Sequence, residues 1–331
     1  MTLHREILST LCFYDAVGGV ALTKLELYKY LMRPAADKRG LFADTPIYES
    51  FYDMLTALEE PSCQNNDRIS LKRGFYFLPK NQNGYERRIH TGKTGIRNWR
   101  TANKMAKIIS FLPYVKMIAV TGSLSMDSTT DKSDIDLLIV ARNGRIWTTR
   151  VIITAVMHLL GKRRHGDTIR GRICLNHYIT DNSLTIRPSN LFSAHIILSL
   201  VPLYSNRFLE RHFGNENIGF CSSYMPNGRT KTLNLRHVHA KDRNGYKIDK
   251  VARYILNNLA LLMPDALQEI IEKFLKNIQI KKISRSLKSA PRMQVSDIIY
   301  GDSALVFHHP RPKDQEALYL YQNNLREAGI S

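Results

Sequence analysis

Acidic residues are scarce in this chain of 331 residues: 29 Asp and Glu stand against 48 Lys and Arg, a formal net charge of +19. An imbalance of that size points to a polyanionic partner such as nucleic acid or nucleotide phosphate. Cysteine is sparser still. Cys12, Cys63, Cys174 and Cys221 lie too far apart for any CxxC pair, which excludes a disulfide framework and fits a reducing, cytoplasmic setting. The histidine pairs His237/His239 and His308/His309 have no cysteine or carboxylate beside them at zinc-ligand spacing, so they read as surface residues. Long apolar runs are missing too. The longest, VIITAVMHLLG at 151–161, falls well short of the ~20 residues that cross a bilayer, so no membrane partner is expected. Asp15 interrupts the apolar stretch near the start, which reads as a helix and not as a secretory leader.

What is present suits a folded chain. Hydrophobic residues make up 44% and charged residues 23%, close to the globular average, and at ~150 residues per domain the length allows two or three units. We expect an α+β protein with boundaries at 1–83, 84–184 and 185–331. In the first unit, apolar positions at helical spacing mark three helices: one with Ile7, Leu8, Leu11, Cys12 and Tyr14, one from about Thr23 to a stop at Pro34, and one from Pro46 through Phe51, Met54, Leu55 and Leu58. RISLKRGFYFLP follows as a hairpin, and the order resembles winged-helix domains in pattern. Charge argues against DNA readout by this unit. Residues 1–60 hold six Lys or Arg against nine Asp or Glu, a surface that repels phosphate, so a packing or protein-contact role is expected there. Residues 1–83 are neutral overall, and the whole positive excess lies after them.

A basic lead-in at 84–110, mostly helical, carries seven Lys or Arg against one Glu. The most informative segment comes next, KMIAVTGSLSMDSTTDKSDIDLLIVA at 116–141. An apolar strand enters a Gly-Ser turn, a polar connection of ten residues follows, and a second strand opens with Asp134, Ile135 and Asp136. Gly122 permits a tight turn, and Ser123 adds a hydroxyl and free amides that suit a phosphate. Alternation along the strand places Asp134 and Asp136 on one face. Two carboxylates converging in this way suit a hard divalent cation shared with a triphosphate.

This segment resembles the nucleotidyltransferase superfamily typified by DNA polymerase beta, over residues 114–141 and compatibly to about 180. The resemblance implies that the Gly-Ser turn (Gly122, Ser123) binds the triphosphate of an NTP such as ATP, that Asp134 and Asp136 hold Mg2+ or Mn2+, and that a third carboxylate sits on a later strand. The next strand, GRICLNHYIT, offers no acid in its interior. It offers Asn176 or His177, with Asp181 at its end. Strict alternation puts Cys174, Asn176 and Tyr178 on one face, and Asn176 is the expected third site residue. Arg150, one turn into the helix that leaves the metal strand, is an expected triphosphate contact, whereas Trp147 reads as core.

Residues 185–331 read as mostly helical and basic, with helices at LFSAHIILSLVPLY, YKIDKVARYILNNLALL and DALQEIIEKFLKNIQIKKI. The sequence therefore predicts transfer of NMP from an NTP to an acceptor hydroxyl, with nucleic acid as acceptor and RNA favoured, because spread-out cations reward a ligand with many phosphates. Two alternatives remain open: a catalytically weakened regulator or nucleic-acid-binding protein, and a protein-modifying transferase.

Overall fold

The first helix, α1 (Thr2–Ala16), is buried along Ile7, Leu8, Leu11, Cys12 and Tyr14 as its spacing demands. This computed structural model describes residues 2–33, 50–60, 68–166, 168–229, 256, 262–288, 298–307 and 312–330. Helix α2 (Lys24–Lys29) starts at a capping box in which Thr23 and Glu26 each bond the other's backbone N–H. Helix α3 (Phe51–Glu59) opens on the same device, Ser50 with Asp53. The expected stop at Pro34 and start at Pro46 lie outside the described residues. So do the histidine pairs, Cys63 and all but isolated residues of the helix expected at 246–262.

Strand β1 (Leu22–Thr23) and the hairpin β2 (Ser70–Lys72) and β3 (Phe75–Phe77) form an antiparallel sheet in the order β1-β3-β2. Arg73 and Gly74 both have positive φ, 49° and 81°, the primed turn that matches strand twist.

The lead-in forms two helices, α4 (Gln82–His90) and α5 (Gly92–Ile109). Beyond them a six-stranded mixed sheet runs in the order β7-β4-β5-β6-β9-β8. Its strands are β4 (Val115–Thr121), β5 (Ile135–Ala141), β6 (Ile173–Thr180), β7 (Val201–Tyr204), β8 (Ile299–Tyr300) and β9 (Ala304–Val306), and the single helical turn α6 (Gly122–Ser125) follows β4. β5 and β6 are parallel, and the other neighbours are antiparallel. One face packs on α5, α7 (Ile146–Leu159) and α10 (Asp265–Lys288), through Met105, Ile109, Trp147, Ile153, Met157 and Ile283. The other meets α8 (Leu191–Ser199) and α9 (Arg207–Tyr224), through Ile197, Leu209 and Phe213. The fold is α+β.

The region after 185 is less helical than its periodicity suggests, because it supplies three strands of the sheet. The run expected as one helix, LFSAHIILSLVPLY, ends at Ser199 and becomes β7. Pro202 cannot donate to a ladder, and it sits on this edge strand opposite Ala119, where proline is tolerated.

Two long-range ties hold the fold in register. Helix α11 (Pro312–Glu327) returns to α1, with Asn324 donating to the Cys12 carbonyl at 3.0 Å and Ser9 bonding Tyr321 at 2.8 Å. The buried carboxylate of Glu272, on α10, accepts from the backbone N–H of Trp147 (2.8 Å) and Thr148 (2.9 Å), at the first turn of α7. It thus caps a helix 125 residues away with a full charge, favourably placed at the positive end of that helix dipole. Glu272→Ala should lower stability by about 2 kcal/mol in a denaturant titration, and Glu272→Gln should recover part of the loss.

Candidate metal and nucleotide site

Strand β4 delivers the chain to Thr121, which pairs with Asp136 on β5. The next residue, Gly122, has φ +69°, and a Cβ there would lie 2.7 Å from Asp136 Oδ2. Only glycine satisfies both the left-handed backbone and the closeness of that carboxylate. The turn is closed by Ser125 Oγ donating to the Gly122 carbonyl (2.8 Å) and by Ser128 N–H donating to the Ser123 carbonyl (2.9 Å). Gly122→Ala should therefore push Asp136 aside. We expect about a hundredfold loss of metal-dependent activity, with a stability cost of about 1–2 kcal/mol, read by kinetics and thermal melting on one preparation.

The polar connection reaches Asp134 along a supported path. Thr91 Oγ1 donates to the Thr129 carbonyl at 3.1 Å, and Ser133 Oγ accepts from Thr130 N–H at 2.9 Å. Gly171 N–H donates to the Ser133 carbonyl at 2.9 Å, and Ile135 N–H to the Arg172 carbonyl at 2.8 Å. Met126, at the start of this connection, is buried in the core of the N-terminal unit. The same seam holds a largely buried ion pair, Arg88 with Glu26 at 2.8 Å.

The alternation expected of β5 holds. Ile135 and Leu137 enter the core beneath α5 and α7, and Asp134 and Asp136 share the opposite face with half-buried side chains. Ligand atoms of Asp134, Asp136 and Cys174 all lie within 4.8 Å of one another. The Cys174 thiol is buried, and it donates to Asp136; burial first, then the charges of Asp136 and Asp134, drive its pKa far above that of an ordinary thiol. Arg164 supplies the counter-charge, with Nη1 2.6 Å from Asp134 Oδ2 and 3.7 Å from Cys174 Sγ. Burial works against its charge, but Asp134 and Cys174 outweigh that effect and raise its pKa.

Strand β6 does not keep the strict alternation expected of it. Pairs between β5 and β6 run Asp136↔Cys174 and then Leu138↔His177, so β6 carries one extra residue between them. Leu175 and Tyr178, three residues apart, consequently enter the same core, which strict alternation forbids. Cys174, paired with Asp136, stands beside the aspartates. Asn176 falls at the irregularity, where its carbonyl accepts from Phe307 N–H at 2.8 Å, and His177 is buried opposite Leu138 and Val306. Asp181 is seven residues beyond Cys174, roughly 23 Å along the strand. There it caps the turn after β5 by accepting from Asn143 N–H at 2.8 Å.

Arg150 is also set apart from the aspartates. Its helix begins beyond the far end of β5, and its guanidinium stacks 4.2 Å over the Phe307 ring and donates to Gln279 at 2.7 Å. Burial lowers its pKa. Trp147 is fully buried, with its indole N–H donating to Asp302 at 2.9 Å, as a core residue. The placement of Cys174 and Arg164 beside the aspartates has no local sequence signal, because it depends on partners distant in the chain.

Residues 102–176 match the family model of the nucleotidyltransferase domain. The match runs from α5 to β6 and includes Gly122, Ser123, Asp134, Asp136 and Cys174. No curated protein and no solved structure matches the chain. A nucleotidyltransferase domain supports NMP transfer in general, and its dependence on divalent ions agrees with a donor set of two carboxylates and a thiol. No helix among the described residues is long and apolar enough to cross a membrane.

Proposed function

We propose that this protein is a divalent-metal-dependent nucleotidyltransferase that moves NMP from an NTP to a hydroxyl on nucleic acid, RNA in preference to DNA, with release of pyrophosphate. The observation that carries the reading is the convergence of Asp134, Asp136 and Cys174, with Asp136 against the backbone of Gly122, all inside the segment matching the nucleotidyltransferase domain. Asp134 and Asp136 hold the ion, Mg2+ or Mn2+, with Cys174 at the third position. When bound, such an ion neutralises triphosphate charge and polarises the phosphoryl group. The chain's own part is positional. The Gly122–Ser123 turn offers its amides and the Ser123 hydroxyl to the triphosphate, and Asp136 is fixed by contact with that turn. Arg164, beside Asp134, would supply a cation for phosphate oxygens.

The acceptor is read from charge: the +19 of the chain lies after residue 83, and counterion release makes such a field most effective on a polyphosphate. The N-terminal unit, with its neutral balance and winged-helix order, is read as a contact surface for a protein.

The absence of a carboxylate at position 174 favours a second reading, a protein that binds NTP and metal but transfers slowly. One experiment separates the two. The protein is incubated with each α-labelled NTP, Mg2+ or Mn2+, and cellular RNA, DNA or protein. Label entering RNA supports transfer; NTP binding without incorporation supports the second reading, and absence of metal-dependent NTP binding overturns both.

A further inference from the structure

Helix α5 presents Lys93, Arg97, Arg100, Lys104 and Lys107 at spacings of four, three, four and three residues, and all five are exposed. At 100° per residue they fall within about 80° of arc. Gly95, Asn98, Ala102, Met105, Ala106 and Ile109 fill the opposite, buried face. No Asp or Glu occurs anywhere in α5. An ordinary solvated face mixes signs, because like charges three and four residues apart repel one another. This face carries four such pairs in succession and no acid of its own.

The stripe also has a direction. Its N-terminal end abuts the turn that leads into the metal strand: Thr94 Oγ1 donates to Asp131 at 2.7 Å, and Arg97 and Arg170 approach the same carboxylate at 3.6 Å and 3.3 Å. Asp131 precedes Asp134 by three residues. From Lys93 to Lys107 the stripe runs about 21 Å at 1.5 Å per residue, the axial length of about six nucleotides stacked at 3.4 Å.

We propose that this face of α5 is the rail on which the phosphate backbone of the acceptor RNA lies, with the reacting end of the strand passing the Asp131 turn into the aspartate site. The inference rests on the nucleic-acid acceptor read above. Contacts of this kind fix position without reading sequence, so the rail selects a polyanionic strand and leaves any base preference to other residues.

The test uses the full chain and a labelled single-stranded RNA of 20 nucleotides, with affinity followed by fluorescence anisotropy across a salt series. The triple variant Lys93→Gln, Arg100→Gln, Lys104→Gln should weaken binding at least tenfold. It should also flatten the slope of log K against log salt by about 2, at roughly 0.7 per lost contact. NTP binding should be unchanged, which separates the rail from the site. A companion Lys93→Arg, Lys104→Arg variant should bind as the parent does, and matched thermal melts check that both fold. Parent-like RNA affinity in the triple variant overturns the rail and leaves the transferase reading standing. Parent protein that binds NTP with metal but no RNA at low salt overturns the nucleic-acid acceptor and the rail together. If the triple variant loses binding to anionic vesicles but not to RNA, the stripe is a lipid surface and the proposal fails.

Discussion

Asp136→Asn should reduce metal-dependent nucleotide transfer by about a thousandfold or more, the scale of losing several kcal/mol of charge stabilisation at the reacting phosphate. The fold should survive. Without metal, Asp134 and Asp136 repel each other across less than 4.8 Å, so removing one charge should leave the melting temperature equal to or above that of the parent. The clearer readout is linkage. Mn2+ with an NTP should raise the parent's melting temperature, as a ligand bound only to the native state must, and this rise should vanish in Asp136→Asn. Full transfer activity in the variant would remove Asp136 from the site.

The second large effect is expected at Cys174. A thiol in place of a carboxylate leaves the site short of one negative charge and biases it toward softer ions than Mg2+. Cys174→Asp should raise Mg2+-dependent transfer by roughly ten- to a hundredfold and tighten Mg2+ binding. Metal-free stability should move the other way, since a third carboxylate would be buried beside two others. Cys174→Ser, with a hydroxyl and no added charge, should bring neither gain. Kinetics with Mg2+ and Mn2+ in parallel, beside a melt in chelator, measure both signs. Should Cys174→Asp be slower than the parent with Mg2+, the third position lies elsewhere.

The parts of the site that were legible in the sequence are those decided within a few residues. A turn glycine before a serine and two aspartates one residue apart on an apolar strand need no knowledge of distant partners. The third position does need it. Asn176 was assigned by counting alternate residues, and the count fails because β6 gains a residue against β5 between Cys174 and His177, a property of the pair of strands and invisible in either alone. Arg150 was placed by its position one turn into the helix that leaves the metal strand. The chain leaves β5 at its far end before α7 begins, and the guanidinium meets Phe307 and Gln279, neither of them predictable from the local sequence. The same limit applies to the fold. The helical lead-in, β4, β5, α7 and β6 all stand where the sequence puts them, whereas β7, β8 and β9 are short strands whose identity depends on the sheet edges they complete. Helix α9 was missed altogether: Gly214, Gly219 and four asparagines in and around it weaken the periodic signal, although Asn217 is wholly buried and bonds the Leu184 carbonyl at 2.9 Å.

The return of α11 onto α1 fixes the order in which the molecule can be assembled during synthesis. Ser9 and Tyr321 meet across 312 residues, and Lys80 reaches Asn324 across 244. Contacts of such sequence separation form late, because the intervening chain must first be gathered in. The N-terminal unit emerges first from the ribosome but cannot close its core until Tyr321 and Leu325 have followed. Met126 is packed in that same core, so the connection leading to Asp134 receives its last support from the two most distant stretches of the chain. A nascent chain lacking α11 would carry every residue of the aspartate site and still lack part of the core in which Met126, on the connection leading to Asp134, is packed. The last packing around that connection is in this way delayed until residues close to two hundred positions beyond the aspartates have folded.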